Sequence, residues 1–196
     1  NLGYAYHFAR GVDRDFAQAA LWYRRAADQN SAMALNNLAN LHRYGQGMEK
    51  NPARASQLFR QAIAQGNTLA LANLGEMLLN GEGIPKDEKE ALGLFRQSAE
   101  QGSDLGQVHL ARMLLDGRVV GKDPQQAARL FRLAAEQGNS TALNNLGYMH
   151  ELGEGVPQDH AEAVRLYRQA SDLGDRWAGA NLGEMMAYGR GTSQNM

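Results

Sequence analysis

The chain contains no cysteine, which excludes disulfide bonds, a cysteine nucleophile and thiolate ligands for a metal. It has no apolar run long enough to cross a bilayer, so we expect no membrane insertion of this fragment. Neither sign of charge predominates, because 20 basic and 21 acidic residues give a formal net charge of −1. The chain therefore has no general attraction to nucleic acid or to an anionic membrane.

What the sequence does contain is a period of 36 residues, seen when the segment 67–102 is shifted along the chain. Leucine recurs at this spacing at Leu2, Leu38, Leu74, Leu110, Leu146 and Leu182. A period of this length is typical of an array built from one supersecondary unit. We therefore expect a single array over 1–196, with a partial repeat 1–30, full repeats 31–66, 67–102, 103–138 and 139–174, and a half repeat 175–196. The incomplete repeats at both ends suggest a fragment of a longer protein, and its missing N-terminus could carry a signal peptide.

Capping residues mark the starts of two helices in each repeat. The first helix is preceded by Ser31, Asn67, Ser103, Asn139 and Asp175, each of which follows a Gly or Asn that tolerates the left-handed conformation. The second helix is preceded by Asp15, Asn51, Asp87, Asp123 and Asp159. Pro52 and Pro124 stand at the first helical position, where a missing N–H costs nothing. The sequence therefore predicts two short helices per repeat.

A Gly-x-Gly segment joins the two helices in most repeats, as at Gly81 and Gly83. Phosphate-binding loops also contain closely spaced glycines, but no strand precedes this segment and no Gly-Lys-Ser/Thr follows it. We interpret it as a tight turn that requires positive φ. Val119 replaces the second glycine in the repeat 103–138, so we expect a differently shaped loop at 118–121.

Apolar residues form one stripe on each helix, such as Ala34, Leu38 and Leu41 on a first helix. Gly75, Gly147 and Gly183 are expected to let a neighbouring helix approach closely. A methionine column is explained as flexible core filler and contains Met77, Met113, Met149 and Met185. Neither helix can bury its stripe alone, so stacking of successive repeats must complete the core.

These residues resemble the Sel-1-like repeat, a relative of the tetratricopeptide repeat. The motifs are A-x-x-x-L-G, G-x-G-[VI]-P-x-D, A-x-x-[WL]-[YF]-R-x-A-A and E-Q-G, and they are almost complete in 142–174. The resemblance implies an all-α, right-handed superhelical solenoid whose first helices line a concave groove. It also implies a non-catalytic adaptor that assembles proteins in bacterial signalling, envelope biogenesis or host contact. The sequence does not decide the location, and between the two a bacterial extracytoplasmic location is favoured over a cytoplasmic one.

One face of the first helices, next to the core stripe, combines asparagine with variable aromatic and charged residues. We call this the groove face, and it repeats at the columns of Met33, Asn37, Asn40 and Tyr44. Its predicted partner-binding residues are Asn37, Asn40, Tyr44, Asn73, Glu76, Asn80, His109, Arg112, Asn145, Tyr148, Asn181 and Glu184. A merely solvated face would rarely carry so many aromatic residues, so the pattern favours a binding surface.

An asparagine ladder runs along the groove face and is interrupted by His109; it comprises Asn1, Asn37, Asn73, Asn145 and Asn181. Side-chain amides at this spacing could bond to the backbone of an extended peptide, while the neighbouring columns select its sequence. The alternative is that the amides bond locally between neighbouring helices. The sequence leaves both interpretations open.

An arginine column contains Arg24, Arg60, Arg96, Arg132 and Arg168 and could be taken for a phosphate-tracking stripe. We favour helical ion pairs instead, because Asp28, Glu100, Glu136 and Asp172 stand four residues further along. His42 and His150 share a column but lie about three repeats apart, too far to share a metal, and we interpret them as residues at the edge of the core. We therefore expect no metal, no cofactor and no nucleic acid partner.

Three functional hypotheses follow. The first is a non-catalytic scaffold that binds a protein or an extended peptide in the groove. The second is a glycan- or peptidoglycan-binding module that uses Tyr44, Tyr148, Trp177 and the amide ladder. The third, an enzyme, is disfavoured because no acid–base pair or activated nucleophile is recognisable in the sequence.

The terminal helix is predicted at 177–188 and has no second helix after it in the sequence. Its apolar residues Leu182, Met185 and Met186 are therefore expected to be exposed or buried against another molecule. This helix could mediate self-association.

Overall fold

A computed structural model describes residues 2–117 and 119–191 of the chain. Over these ranges the backbone forms eleven α-helices and no strand. The helices are α1 Leu2–Phe8, α2 Phe16–Ala27, α3 Ala32–Tyr44, α4 Pro52–Ala64, α5 Thr68–Asn80, α6 Glu88–Glu100, α7 Asp104–Asp116, α8 Pro124–Glu136, α9 Ser140–Leu152, α10 His160–Asp172 and α11 Arg176–Ala187. The predicted all-α fold class is confirmed. The expectations for Asn1, Arg118 and 192–196 lie outside the described residues.

The chain divides into two compact units, Asn1–Ser98 and Ala99–Met196, which are described separately below. In the first unit α1 to α5 pack in chain order, each against the next. In the second unit α7 to α11 do the same.

The predicted caps fix the helix starts. Asn67 accepts a hydrogen bond from the backbone N–H of Ala70 at 2.9 Å, and Asp123 accepts one from Gln126 at 2.9 Å. The side chain of Asp87 accepts from Glu90 N–H at 2.9 Å in the same way at the start of α6. Each cap satisfies a backbone donor that the helix itself cannot, which is worth about 1 kcal/mol.

The Gly-x-Gly loops are turns with positive φ, as predicted. Gly83 has φ of 65°, and a Cβ placed there would lie 2.5 Å from Cβ of Pro52. The second glycine therefore allows the loop to pack on the start of the second helix in the preceding repeat. Gly117 also has a positive φ, of 67°. The differently shaped loop predicted at 118–121 includes Arg118, which lies outside the described residues, so it stays a prediction.

The small residues on the first helices receive aromatic rings from the second helices. A Cβ at Gly75 would lie 2.6 Å from Phe95, and one at Gly147 would lie 2.9 Å from Tyr167. Both rings are fully buried. The prediction is wrong for Gly183, where a Cβ would meet nothing within 4 Å, because no described helix covers that face of α11.

The predicted helical ion pairs of the arginine column are also wrong. Within the described ranges, none of the arginines at 24, 96, 132 and 168 forms an ion pair with the acid four residues on. Arg60, which has no acid at that spacing, instead pairs with Glu90 of the next repeat at 2.6 Å. Exposed pairs gain little Coulomb energy and lose side-chain entropy, so sequence spacing alone does not secure them.

The last helix, α11, is less exposed than predicted. Met185 is only 1% exposed because it packs with Ala163, Val164 and Tyr167 of α10, and Leu182 is partly buried beside it. Met186 is 56% exposed, as expected. The expectation for Met185 is wrong because the preceding helix already covers that side of α11. The rest of the methionine column is buried, as expected.

Candidate functional site

The groove face carries most of the large apolar side chains that are exposed. Fourteen described large hydrophobic residues are exposed, and nine of them lie on groove-face columns: Phe8, Met33, Tyr44, Leu69, Leu105, Tyr148, Leu152, Trp177 and Tyr188. Their spacing along the first helices places at least one such residue on each of α1, α3, α5, α7, α9 and α11. This distribution is not explained by packing within the chain.

In the first unit, the asparagines link the first helices of successive repeats. The Asn73 amide on α5 donates to Oδ1 of Asn36 on α3 at 2.9 Å, and the Asn36 amide donates to Asn37 Oδ1 at 3.3 Å. Asn37 lies close enough to the Tyr23 hydroxyl to lower its pKa, but burial dominates and raises that pKa to about 12. The local interpretation of the ladder therefore holds for Asn73. Asn40 lies half-buried one turn beyond Asn37.

A buried arginine organises the polar end of the same face. Arg43 is 3% exposed and donates from Nε and Nη2 to Glu82 at 2.6 and 2.9 Å, and from Nη1 to Glu76 at 2.8 Å. Its guanidinium also stacks over the ring of Tyr44, 5.1 Å from the centroid. The cluster thus gathers two predicted site residues, Tyr44 and Glu76, around a residue that the sequence analysis did not select.

The charges of this cluster are fixed by its contacts. Hydrogen bonds from Arg43 hold the pKa of the Glu82 carboxyl below its usual value, and nearby Asn80 lowers it slightly further. Burial raises the pKa of the Tyr44 hydroxyl, which Arg43 partly opposes. At neutral pH the cluster therefore presents an ionised Glu82 carboxylate and a neutral Tyr44 phenol.

In the second unit, the asparagines use two different acceptors. The Asn181 amide on α11 donates to Asn144 Oδ1 on α9 at 2.9 Å, which repeats the Asn73–Asn36 contact. The Asn145 amide donates to the carbonyl of Thr141 in its own helix at 2.7 Å. These bonds use one N–H of each amide, whereas an amide has two donors and an acceptor oxygen.

A second charged cluster lies around Glu151. Tyr167 donates its hydroxyl to Glu151 Oε2 at 2.8 Å, and Arg190 approaches Glu151 Oε1 at 3.4 Å. Burial, and then Glu151, raises the pKa of Tyr167, with smaller contributions from Tyr148 and Glu184. The predicted site residues Tyr148 and Glu184 therefore lie in the field of this cluster.

Two further predicted residues, His109 and Arg112, lie on α7. His109 is half-buried and Arg112 is exposed. The exposed groove-face residue Leu105 lies one turn before His109 on the same helix. They contribute positive charge and a hydrogen-bonding ring to the groove face of the second unit.

The two charged clusters place opposite charges at equivalent positions. Arg43 pairs with Glu82 in the first unit, and Glu151 pairs with Arg190 in the second, with the same sequence separation of 39 residues. None of the four residues stands out in a single column of the repeat, because their charges are complementary only between two columns. A search for complementary charges at a separation slightly longer than the period could have found them.

Two other features, a metal-binding group and a membrane-spanning helix, are not found within the described ranges. No group of three or more His, Cys, Asp or Glu residues is placed to hold a metal ion there. No described helix is long and apolar enough to cross a membrane.

A known protein family and several solved structures are similar to this chain. The family model described as Sel1 repeat matches residues 1–31, 32–67, 68–103, 105–139, 140–175 and 180–196. No curated protein sequence matches the chain. A Sel1 repeat protein from Oxalobacter formigenes is 29% identical with a TM-score of 0.88, and the match covers 99% of this chain and 77% of that one.

Two further solved structures are similar. A protective antigen of uropathogenic Escherichia coli strains, which displays an SLR fold, is 30% identical with a TM-score of 0.63. The match covers 99% of this chain but only 49% of that protein. An immunity protein from Pseudomonas aeruginosa shares the fold at 24% identity, with a TM-score of 0.63 and coverage of 85% and 62%. Because the Sel1 repeat model matches nearly the whole length of the chain, the chain belongs to the Sel1 repeat family.

Proposed function

We propose that this chain is a non-catalytic scaffold that binds a protein or an extended peptide on the groove face of its first helices. Sel1 repeat proteins are generally protein-interaction scaffolds, and their fold is typically non-catalytic. The family membership supports the class of function, and the groove face supports the location of the binding surface.

The observation that carries the proposal is the concentration of exposed apolar side chains on the groove-face columns. Trp177 is 64% exposed, Tyr44 is 56% exposed and Tyr148 is 50% exposed. Aromatic residues are enriched at the buried centres of protein interfaces, where they contribute a large share of the binding energy. Such side chains contribute no stability while they are exposed to water, so their exposure favours a binding partner.

The polar residues around these rings would give the surface its specificity. The Glu82 carboxylate in the cluster with Tyr44 is held ionised by Arg43, whereas the groove face of the second unit includes the exposed Arg112. The groove face of each unit therefore offers a partner different charges. The asparagines keep unused bonding capacity, so a peptide backbone can bind to them without breaking the contacts between helices.

The experiment compares groove-face variants with matched variants elsewhere. Tyr44→Ser tests the first unit and Tyr148→Ser tests the second. Leu21→Ser and Leu133→Ser are the controls, because these residues are 41% and 48% exposed but lie on second helices. Each protein is used for affinity purification from cells of the source bacterium, with quantitative mass spectrometry and a thermal unfolding measurement.

The proposal predicts that one protein partner is depleted from the groove-face variants and retained by the controls, at unchanged unfolding temperatures. Retention of every partner by both groove-face variants would contradict it. If Trp fluorescence responded to soluble peptidoglycan fragments, and the response was lost in the groove-face variants, a glycan ligand would replace the protein partner.

A further inference from the structure

A cavity of about 340 Å³ opens between α2, α3 and α4 in the first unit. Its floor is apolar and consists of Leu35, Leu38 and Leu58, each of them buried. Its remaining lining is mostly polar or charged and consists of Arg24, Ala27, Asp28, His42, Arg54 and Gln61. None of these lining residues stands in a groove-face column, so the cavity is distinct from the groove face and does not depend on the function proposed above.

The next repeat has an acid at the equivalent position. Arg60 and Glu90 stand 36 residues after Arg24 and Arg54, and they form an ion pair at 2.6 Å. Arg54 is the one basic residue in its column, where the other repeats have Gln18, Glu90, Gln126 and Glu162. At the cavity, an arginine therefore replaces the carboxylate that neutralises the first arginine.

The repeat 139–174 also has an acid at the equivalent position. In the second unit His150 and Glu162 correspond to His42 and Arg54, and the nearby His150 helps to lower the pKa of Glu162. The main cause of that shift is Arg165, which hydrogen-bonds to Glu162 at 2.7 Å through Nε. The cavity thus has a histidine equivalent to His150 and an arginine equivalent to Arg60. It lacks an acid equivalent to Glu162 or Glu90.

The positive charge of the cavity is not cancelled by its neighbours. Neither Arg24 nor Arg54 forms an ion pair within the described ranges, and the Arg54 guanidinium bonds to the neutral Gln57 at 3.0 Å. The lining contains one acid, Asp28, against the two arginines, so a net positive charge remains. Burial lowers the pKa of His42, and repulsion from Arg54 and Arg24 lowers it further, so these cations act on the same space.

We propose that the cavity binds a carboxylate from an acidic side chain of a partner polypeptide, which takes the place that Glu90 occupies in the next repeat. A guanidinium binds a carboxylate through two parallel hydrogen bonds, and two guanidiniums can hold both oxygens. The apolar floor reduces the local dielectric and strengthens the attraction. The cavity is large enough to admit a whole glutamate or aspartate side chain.

The test uses acetyl-tetraglutamate amide as the probe and NMR spectroscopy of the isotope-labelled protein. Arg54→Glu places in the chain the acid that Glu90 supplies elsewhere, so Arg24 should pair internally and exclude the probe. Arg129→Glu makes the same change of charge at an exposed position of α8 and is the control. Arg54→Gln, with the residue type of Gln18 and Gln126, is a second variant if Arg54→Glu fails to fold.

We expect the probe to shift the Nε–Hε signal of Arg54 and the ring signals of His42, whereas acetyl-tetraglutamine amide leaves them unchanged. Affinity should fall about tenfold in Arg54→Glu and less than about twofold in Arg129→Glu. Equal losses in the two variants, or shifts confined to other residues, would overturn the proposal. Inorganic phosphate that binds as tightly as the probe would also overturn it, because the site would then not select a carboxylate.

Discussion

Replacing Arg43 with methionine should destabilise the first unit by removing the cation that holds Glu76 and Glu82 together. Methionine keeps much of the packing volume but donates no hydrogen bond, so two carboxylates of the same sign would remain at the end of α5 and in the loop after it. Because Arg43 is almost fully buried, its packing must be preserved if the effect of its charge is to be measured. Methionine meets this requirement.

The magnitude follows from the exposure of the three side chains. Removal of one partner from a fully buried ion pair costs about 3–5 kcal/mol, whereas an exposed pair contributes about 0.2–1 kcal/mol. Arg43 is 3% exposed, but Glu76 and Glu82 are 36% and 37% exposed, so water can solvate the carboxylates after the substitution. We therefore expect a loss of about 2 kcal/mol, which is roughly a thirtyfold change in the opening equilibrium.

Native-state hydrogen exchange is the appropriate assay, because repeat arrays can open in segments rather than in one step. The amide protons of α3 and α5 should lose protection in Arg43→Met, while those of α9 and α10 should not. Arg112→Met, which removes an exposed arginine, should change protection by less than about 0.5 kcal/mol.

Exchanging the charges of Arg43 and Glu82 tests the same ion pair in a second way. Arg43→Glu alone should be more damaging than Arg43→Met, since it places three carboxylates together. Adding Glu82→Arg should restore at least half of the loss, because Glu151 and Arg190 already pair with this polarity in the second unit. An Arg43→Met protein with unchanged exchange, or a double variant no better than Arg43→Glu, would refute the reasoning.

Two further predictions concern packing and titration. Gly147→Ala should cost about 1–3 kcal/mol because its Cβ would meet the buried ring of Tyr167, whereas Gly183→Ala, with open space, should gain up to about 1 kcal/mol in chemical denaturation. A loss of stability in both variants would contradict this. His42 should titrate below its usual pKa in an NMR experiment, and Arg54→Glu should raise that pKa; an unchanged value would be inconsistent with the cavity charges. Because the folded state disfavours protonated His42, its contribution to stability should be present above about pH 6.5 and decline as the pH falls through its lowered pKa.

The helices and their limits could be predicted from the sequence because the responsible interactions are local. An N-cap such as Asn67 bonds to a backbone N–H only three residues away, so its effect does not depend on the rest of the fold. The core stripe is equally readable, because a side chain's position on a helix follows from its spacing. Leu38, Leu41 and Leu74 are all buried as predicted.

The polar contacts could not be predicted because they join different repeats. Arg43 and Glu82 are 39 residues apart, and their contact depends on how a loop returns past a helix of the preceding repeat. The arginine column failed for a related reason, since a favourable spacing for an exposed ion pair does not outweigh hydration and side-chain entropy. Met185 was assigned to an exposed stripe because the sequence does not indicate which side of α11 its predecessor covers.

For the groove-face residues, exposure could be predicted from the sequence but contacts could not. Exposure of Tyr44 and Tyr148 followed from their columns, but the bond between Asn73 and Asn36 did not. That bond changes how binding should be tested. An Asn73→Ala substitution would remove a contact between α3 and α5 as well as a surface amide, so loss of binding would not separate the two roles. Exposed aromatic residues are the cleaner targets.

Site-specific photo-cross-linking tests the central claim most directly. A photoreactive phenylalanine analogue is introduced at Tyr44 or Tyr148 on the groove face, and at Leu21 or Leu133 as exposed controls, in the source bacterium. The account predicts covalent adducts with a protein partner from both groove-face positions and none from the controls. Adducts from the control positions alone, or equal adducts from all four, would contradict a binding surface on the first helices.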